Sequence, residues 1–194
     1  MLNITIHKTA APKEKPAKGQ PLGFGNLFTD HMFLMDYTPG QGWHDARIVP
    51  YGPLTLDPAA SVLHYGQACF EGLKAYRGPD GKVRLFRPDC NGRRMMNSMR
   101  RMCMPEIPEE DFVQAIKTLC RVEEAWVPEE EGSSLYFRPL AIATTAKLGV
   151  HASGNYLFCV LASPVGTYYP TGMEPVRIYV EPHYIRAAEG GTGF

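Results

Sequence analysis

Arg138 is the first residue of this sequence to invite a chemical reading. It stands in Leu135-Tyr136-Phe137-Arg138-Pro139-Leu140, a run otherwise suited to a sheet interior. Strand alternation places Tyr136 and Arg138 on one face, with Leu135, Phe137 and Pro139 on the other. A guanidinium there must meet a carboxylate, from the protein or from a ligand, because an unpaired buried charge is too costly. A second cationic group lies in Asn91-Gly92-Arg93-Arg94, near the start of an expected helix. Helix N-terminal amides together with arginine suit a phosphate, although a solvated basic face has the same composition. The third candidate is Leu63-His64-Tyr65 leading to Cys69-Phe70-Glu71-Gly72, aromatics beside a turn glycine. Core packing alone produces the same letters.

Other chemistries find less support. There is no G-x-S-x-G, H-E-x-x-H or P-loop pattern. The acidic clusters Glu109-Glu110 and Glu129-Glu130-Glu131 fall at a helix start and in a loop, whereas paired catalytic carboxylates need burial to separate their pKa values. Five cysteines, an odd number without a C-x-x-C pair, read as small hydrophobes in a reducing compartment. Six histidines include no H-x-x-x-H pair, so no metal site is expected. Twenty basic against twenty acidic residues give no electrostatic claim on a nucleic acid. No run approaches the roughly 18 apolar residues of a membrane span, and Met1–Pro16 has no signal-peptide pattern. A cytoplasmic globular protein is the expectation.

The elements that must position these residues follow from periodicity. Leu2–His7, Phe28–Tyr37, Ala46–Val49, Ser134–Thr145, Tyr156–Ala162 and Val176–Val180 read as strands. Lys8–Lys18, rich in Lys and Pro, reads as a solvated loop. A short helix is expected from Pro58 to about Tyr65, and Glu71–Arg77 and Lys82–Arg87 flank Gly78-Pro79-Asp80-Gly81 as a hairpin. Two longer helices follow. One spans about Pro88 to Met102, with Met95, Met99 and Met102 on one face. Such a stripe suits core packing or an adaptable binding surface. The other spans about Glu109 to Trp126, with an apolar stripe from Phe112 to Trp126 and an acidic first turn suited to the helix dipole. Strands, a helix pair, then more strands predict an α+β fold with helices on a mostly antiparallel sheet. The expected division is a small domain over 1–165, a connecting loop over 166–174, and the start of a second domain over 175–194.

Taken together, these segments resemble the branched-chain amino-acid aminotransferases, fold type IV enzymes that use pyridoxal 5′-phosphate. The matching stretches are FTDHMFLMDY, LTLDPAASVLHYGQACFEGLKAYR, VRLFRPDCNGRRM, SSLYFRP, LGV, PVGTYYPTG and PHYIRAAEGGTGF. They occur in family order from Gly23 onward. The resemblance implies transfer of the amino group of leucine, isoleucine or valine to 2-oxoglutarate. It assigns Arg94 to the cofactor phosphate. It assigns Tyr136 and Arg138 to the distal carboxylate of glutamate or 2-oxoglutarate, and makes Phe24, Phe70 and Tyr168 walls of the same pocket. Tyr65, Leu148 and Val150 would be contributed across a homodimer. In the family, GGTGF is followed by the lysine that bonds to the cofactor, so no catalytic lysine is expected among these 194 residues. A chain of this extent is expected to be inactive alone, and to expose apolar surface around Tyr168–Met173 and Ile178–Val180. Two other readings are weighed: a non-catalytic dimerisation or ligand-binding domain, against which Gly190–Phe194 speaks, and another fold type IV enzyme (a D-amino-acid aminotransferase or aminodeoxychorismate lyase), against which the Leu-Tyr-Phe-Arg run and the long N-terminal extension speak.

Overall fold

Two strands of ten residues, β7 (Ser134–Ala143) and β8 (Tyr156–Val165), form the middle of the sheet. They are antiparallel in unbroken register from Ser134 opposite Val165 to Ala143 opposite Tyr156. The structure is a computed structural model and describes residues 1–169 and 174–184. Beyond β8 lies β2 (His31–Thr38), whose hairpin partner is β3 (Gly42–Pro50). The two-residue β1 (Thr5–Ile6) adds to β3 in parallel. On its other side β7 pairs with both β4 (Ala68–Phe70) and β5 (Leu73–Arg77), and β6 (Val83–Leu85) closes that edge. The arrangement is the mostly antiparallel α+β sheet expected from the pattern of elements.

Helices α2 (Pro88–Arg101) and α3 (Glu109–Val122) cover one face. Phe112, Ala115, Ile116 and Leu119 of α3 are fully buried against Phe33, Phe137 and Phe158 of the strands. Met95 and Met99 are also fully buried, so the methionine stripe of α2 is core. The opposite face carries a smaller cluster around Met32, Leu34, Ile142, Leu157 and Cys159, partly covered by Leu54, Leu56 and Val62. Val62 belongs to α1 (Ser61–Tyr65), which begins three residues later than expected. Alternation along β7 therefore leaves Tyr136, Arg138 and Leu140 on the face without the long helices, each half-buried.

Three departures from the sequence pattern bear on the site. The strand expected over Glu71–Arg77 begins only at Leu73: Glu71 and Gly72 separate it from the short β4, and the Glu71 amide still donates to the Pro139 carbonyl at 2.9 Å. Val176–Val180 forms no strand, and Ile178, Tyr179 and Val180 are 79–83% exposed. β-rich letters need a partner strand to become one, and the segment has none among the described residues. The lysine-rich stretch has no regular structure, yet it is pinned rather than merely solvated. The Thr9 amide donates to His31 Nε2 at 2.9 Å, which leaves the ring hydrogen on Nδ1 to donate to Glu123 at 2.5 Å. The Lys13 amide and the Trp126 indole both donate to the Asp30 carboxylate. Burial pushes the Glu123 carboxyl above its ordinary range despite the bond from His31. No helix among the described residues is long and apolar enough to cross a membrane.

Candidate functional site

The Arg138 side chain lies among aromatic rings. Its Nε donates to the Tyr136 hydroxyl at 3.1 Å, and its guanidinium carbon sits 4.5 Å from the Phe70 ring centroid and 5.5 Å from that of Tyr136. Among the described residues it has no carboxylate partner. Phe24 stands 5.0 Å from Tyr136 and meets the edge of Tyr168 at 5.4 Å. Phe70 and Tyr168 are 60% and 67% exposed, so apolar ring surface is open beside the cation. Five of the residues singled out from the sequence thus form one cluster, a guanidinium seated in an aromatic wall. Such a wall can take an aliphatic chain by area, and the guanidinium can take a carboxylate.

Arg94 lies next to this cluster through the Glu71-Gly72 break. It is the seventh residue of α2, beyond the first four residues, whose amides lack an intrahelical partner. Its Nε and Nη2 grip Glu71 at 2.5 and 2.7 Å. Glu71 is buried and also accepts from Asn91 Nδ2 at 2.8 Å. Burial alone would raise the Glu71 carboxyl, but the bonds from Arg94 and Asn91 hold it below the usual carboxylate range. The neighbouring Arg93 pairs with Asp89 at 2.7 Å and reaches Glu109 of α3, so its charge is spent on the helix surface. Side-on pairing of Arg94 leaves the outer Nη1/Nη2 edge of a 69% exposed side chain for a ligand. That edge fits the two oxygens of a phosphate, so the residue present suits the phosphate end of pyridoxal 5′-phosphate.

Tyr65, Leu148 and Val150 form a second group. The Tyr65 hydroxyl accepts from the Gly149 amide at 2.7 Å, and the three side chains are 47%, 64% and 95% exposed. Among the described residues, no hydrogen bond or ring contact within one chain joins them to Arg138. Glu71 and Asn91 stand in stretches singled out from the sequence, but sequence reasoning gave neither a role. An acid inside an apolar run was the available signal, since it needs a cation when buried. Residues 170–173 of the expected connecting loop and the glycine-rich stretch 190–194 lie outside the described residues.

The chain matches no protein-family model. It is 57% identical over 192 residues to branched-chain-amino-acid transaminase 1 of Bacillus subtilis (strain 168), covering 98% of this chain and 54% of that protein. It is 51% identical over 172 residues to the branched-chain-amino-acid aminotransferase of Mycolicibacterium smegmatis, covering 88% and 47%. The chain thus spans about half the length of these curated relatives. Among solved structures, the branched-chain aminotransferase of Thermoproteus uzoniensis with norvaline superposes with a TM-score of 0.56 at 22% identity, over 72% of this chain and 43% of the other. A T.th. branched-chain amino acid aminotransferase, complexed with N-(5′-phosphopyridoxyl)-L-glutamate, gives 0.53 at 26% identity, over 68% and 40%.

Proposed function

Since this chain is a homologue of the branched-chain aminotransferases over nearly its whole length, we propose that it forms the substrate-binding face of a transaminase exchanging amino groups between leucine, isoleucine or valine and 2-oxoglutarate. The observation that carries this reading is Arg138, a cation held by aromatic rings with no protein carboxylate to neutralise it among the described residues. The distal carboxylate of 2-oxoglutarate or glutamate would complete it, with the Tyr136 hydroxyl as second donor. When the substrate is branched and aliphatic, Phe24, Phe70 and Tyr168 supply contact area instead.

Pyridoxal 5′-phosphate, when bound, supplies the electron sink that lets an amino group leave one carbon skeleton for another. Arg94 would hold its phosphate through the outer guanidinium edge. Tyr65, Leu148 and Val150 would complete the pocket of a second copy, which makes the working unit a homodimer. Five free thiols support a cytoplasmic setting.

The test is glutamate production from 2-oxoglutarate by the intact protein supplied with cofactor. Leucine, isoleucine and valine are each expected to act as amino donor. Turnover of D-alanine with no turnover of the three branched amino acids would replace this reading with a D-amino-acid transaminase of the same fold.

A further inference from the structure

We infer that Glu71 is the positioning residue for the phosphate grip of Arg94, a role that rests on the proposed assignment of Arg94 to the cofactor phosphate. A guanidinium has two edges that can each engage a pair of oxygens, the side edge of Nε and Nη2 and the end edge of Nη1 and Nη2. Glu71 takes the side edge, with Nε to Oε1 at 2.5 Å and Nη2 to Oε2 at 2.7 Å. The end edge is left to face outward from a side chain that is 69% exposed, while the Glu71 side chain is only 2% exposed. The exposed cation is therefore steered by a buried anion.

Glu71 is itself held from two directions. Asn91 Nδ2 donates to the same Oε2 at 2.8 Å and also to the Gly72 carbonyl at 3.2 Å. The Glu71 amide is tied to the Pro139 carbonyl of β7, the strand that carries Tyr136 and Arg138. The carboxylate thus fixes Arg94 relative to β7, setting the distance between the phosphate grip and the carboxylate grip. Without it, a long side chain at 69% exposure would sample many rotamers and lose that entropy again on binding. Electrostatics works in the opposite sense, because Glu71 weakens the field at Arg94 toward a dianion. Bidentate geometry in a partly buried pair decides for positioning.

The experiment compares the affinities of the intact, cofactor-free protein for pyridoxal 5′-phosphate and for pyridoxal, by equilibrium dialysis. Their ratio isolates the phosphate grip, since general loosening of the site weakens both ligands alike. Glu71→Gln is expected to reduce the ratio roughly tenfold or more, the scale of a charge-assisted hydrogen bond. It should add nothing in an Arg94→Gln background, where the residue it acts through is gone. Asn91→Ala, which leaves the Glu71–Arg94 pair in place, should reduce the ratio by a smaller factor and decides the matter if Glu71→Gln does not fold. An unchanged or increased ratio overturns the positioning role, as does equal weakening of both ligands. A ratio insensitive to Arg94→Gln overturns it differently, by removing the assignment of Arg94 itself.

Discussion

Gly72 is required by a neighbouring side chain rather than by its backbone. Its φ lies outside the left-handed region, but a Cβ there would stand 2.5 Å from the Tyr136 hydroxyl and 3.1 Å from two ring carbons. Gly72→Ala must therefore displace the Tyr136 ring and break its 3.1 Å bond with Arg138. We expect a loss of about 1–3 kcal/mol in stability from overpacking, with a KM for 2-oxoglutarate that rises while that for a branched 2-oxo acid moves less. Denaturant titration and steady-state kinetics measure the two effects. Next to it, Glu71 links stability to pH. Burial works to raise its carboxyl, but the Arg94 and Asn91 bonds outweigh burial and the folded value is lowered. A lowered carboxyl contributes stability that is fully present above its unfolded value of about 4.3 and lost as pH falls through the folded one. The stability difference between wild type and Glu71→Gln should shrink as pH drops below about 4. A difference that stays constant between neutral and acid denaturation curves would contradict this.

The two central strands and the two long helices carry most of the fold, and Phe158 is where they meet. It is fully buried, with ring centroids of Phe33, Phe112 and Trp43 between 5.9 and 6.5 Å away. Phe158→Ala should cost about 3–5 kcal/mol, read from denaturant midpoints. The N-terminal arm depends on a different device. His31→Ala removes both the acceptor for the Thr9 amide and the donor to the buried Glu123 carboxyl. We expect a loss of about 2–3 kcal/mol and earlier proteolytic cleavage between β1 and β2. Periodicity made these elements readable in the sequence, because alternation over 134–143 and the stripe from Phe112 to Leu119 each select one buried face. It also placed Tyr136 and Arg138 on a shared face. What it could not show depends on distant partners. Arg94 is set by Glu71, 23 positions earlier, not by the helix start. The arm is held by His31 and Asp30, and Val176–Val180 lacks a strand to pair with among the described residues.

At the scale of the whole molecule, the exposed group of Tyr65, Leu148 and Val150 bears on the proposed homodimer. Val150 is 95% exposed and Leu148 64%, beside Tyr65 on the segment we propose faces a second copy. Val150→Asp is expected to shift the intact protein toward monomer in sizing with light scattering and to raise the KM for leucine. A dimer undisturbed in both respects would remove this segment from the interface. The proposed dual recognition rests on Arg138, whose aromatic seat would hold a branched chain with or without the cation engaged. The most direct measurement is the KM of the intact Arg138→Gln protein for 2-oxoglutarate and for 4-methyl-2-oxopentanoate, side by side. Losing a charge-assisted pair should raise the first roughly tenfold or more and leave the second close to wild type. An equal change in both values, or none in either, would contradict the assignment of Arg138 to the distal carboxylate.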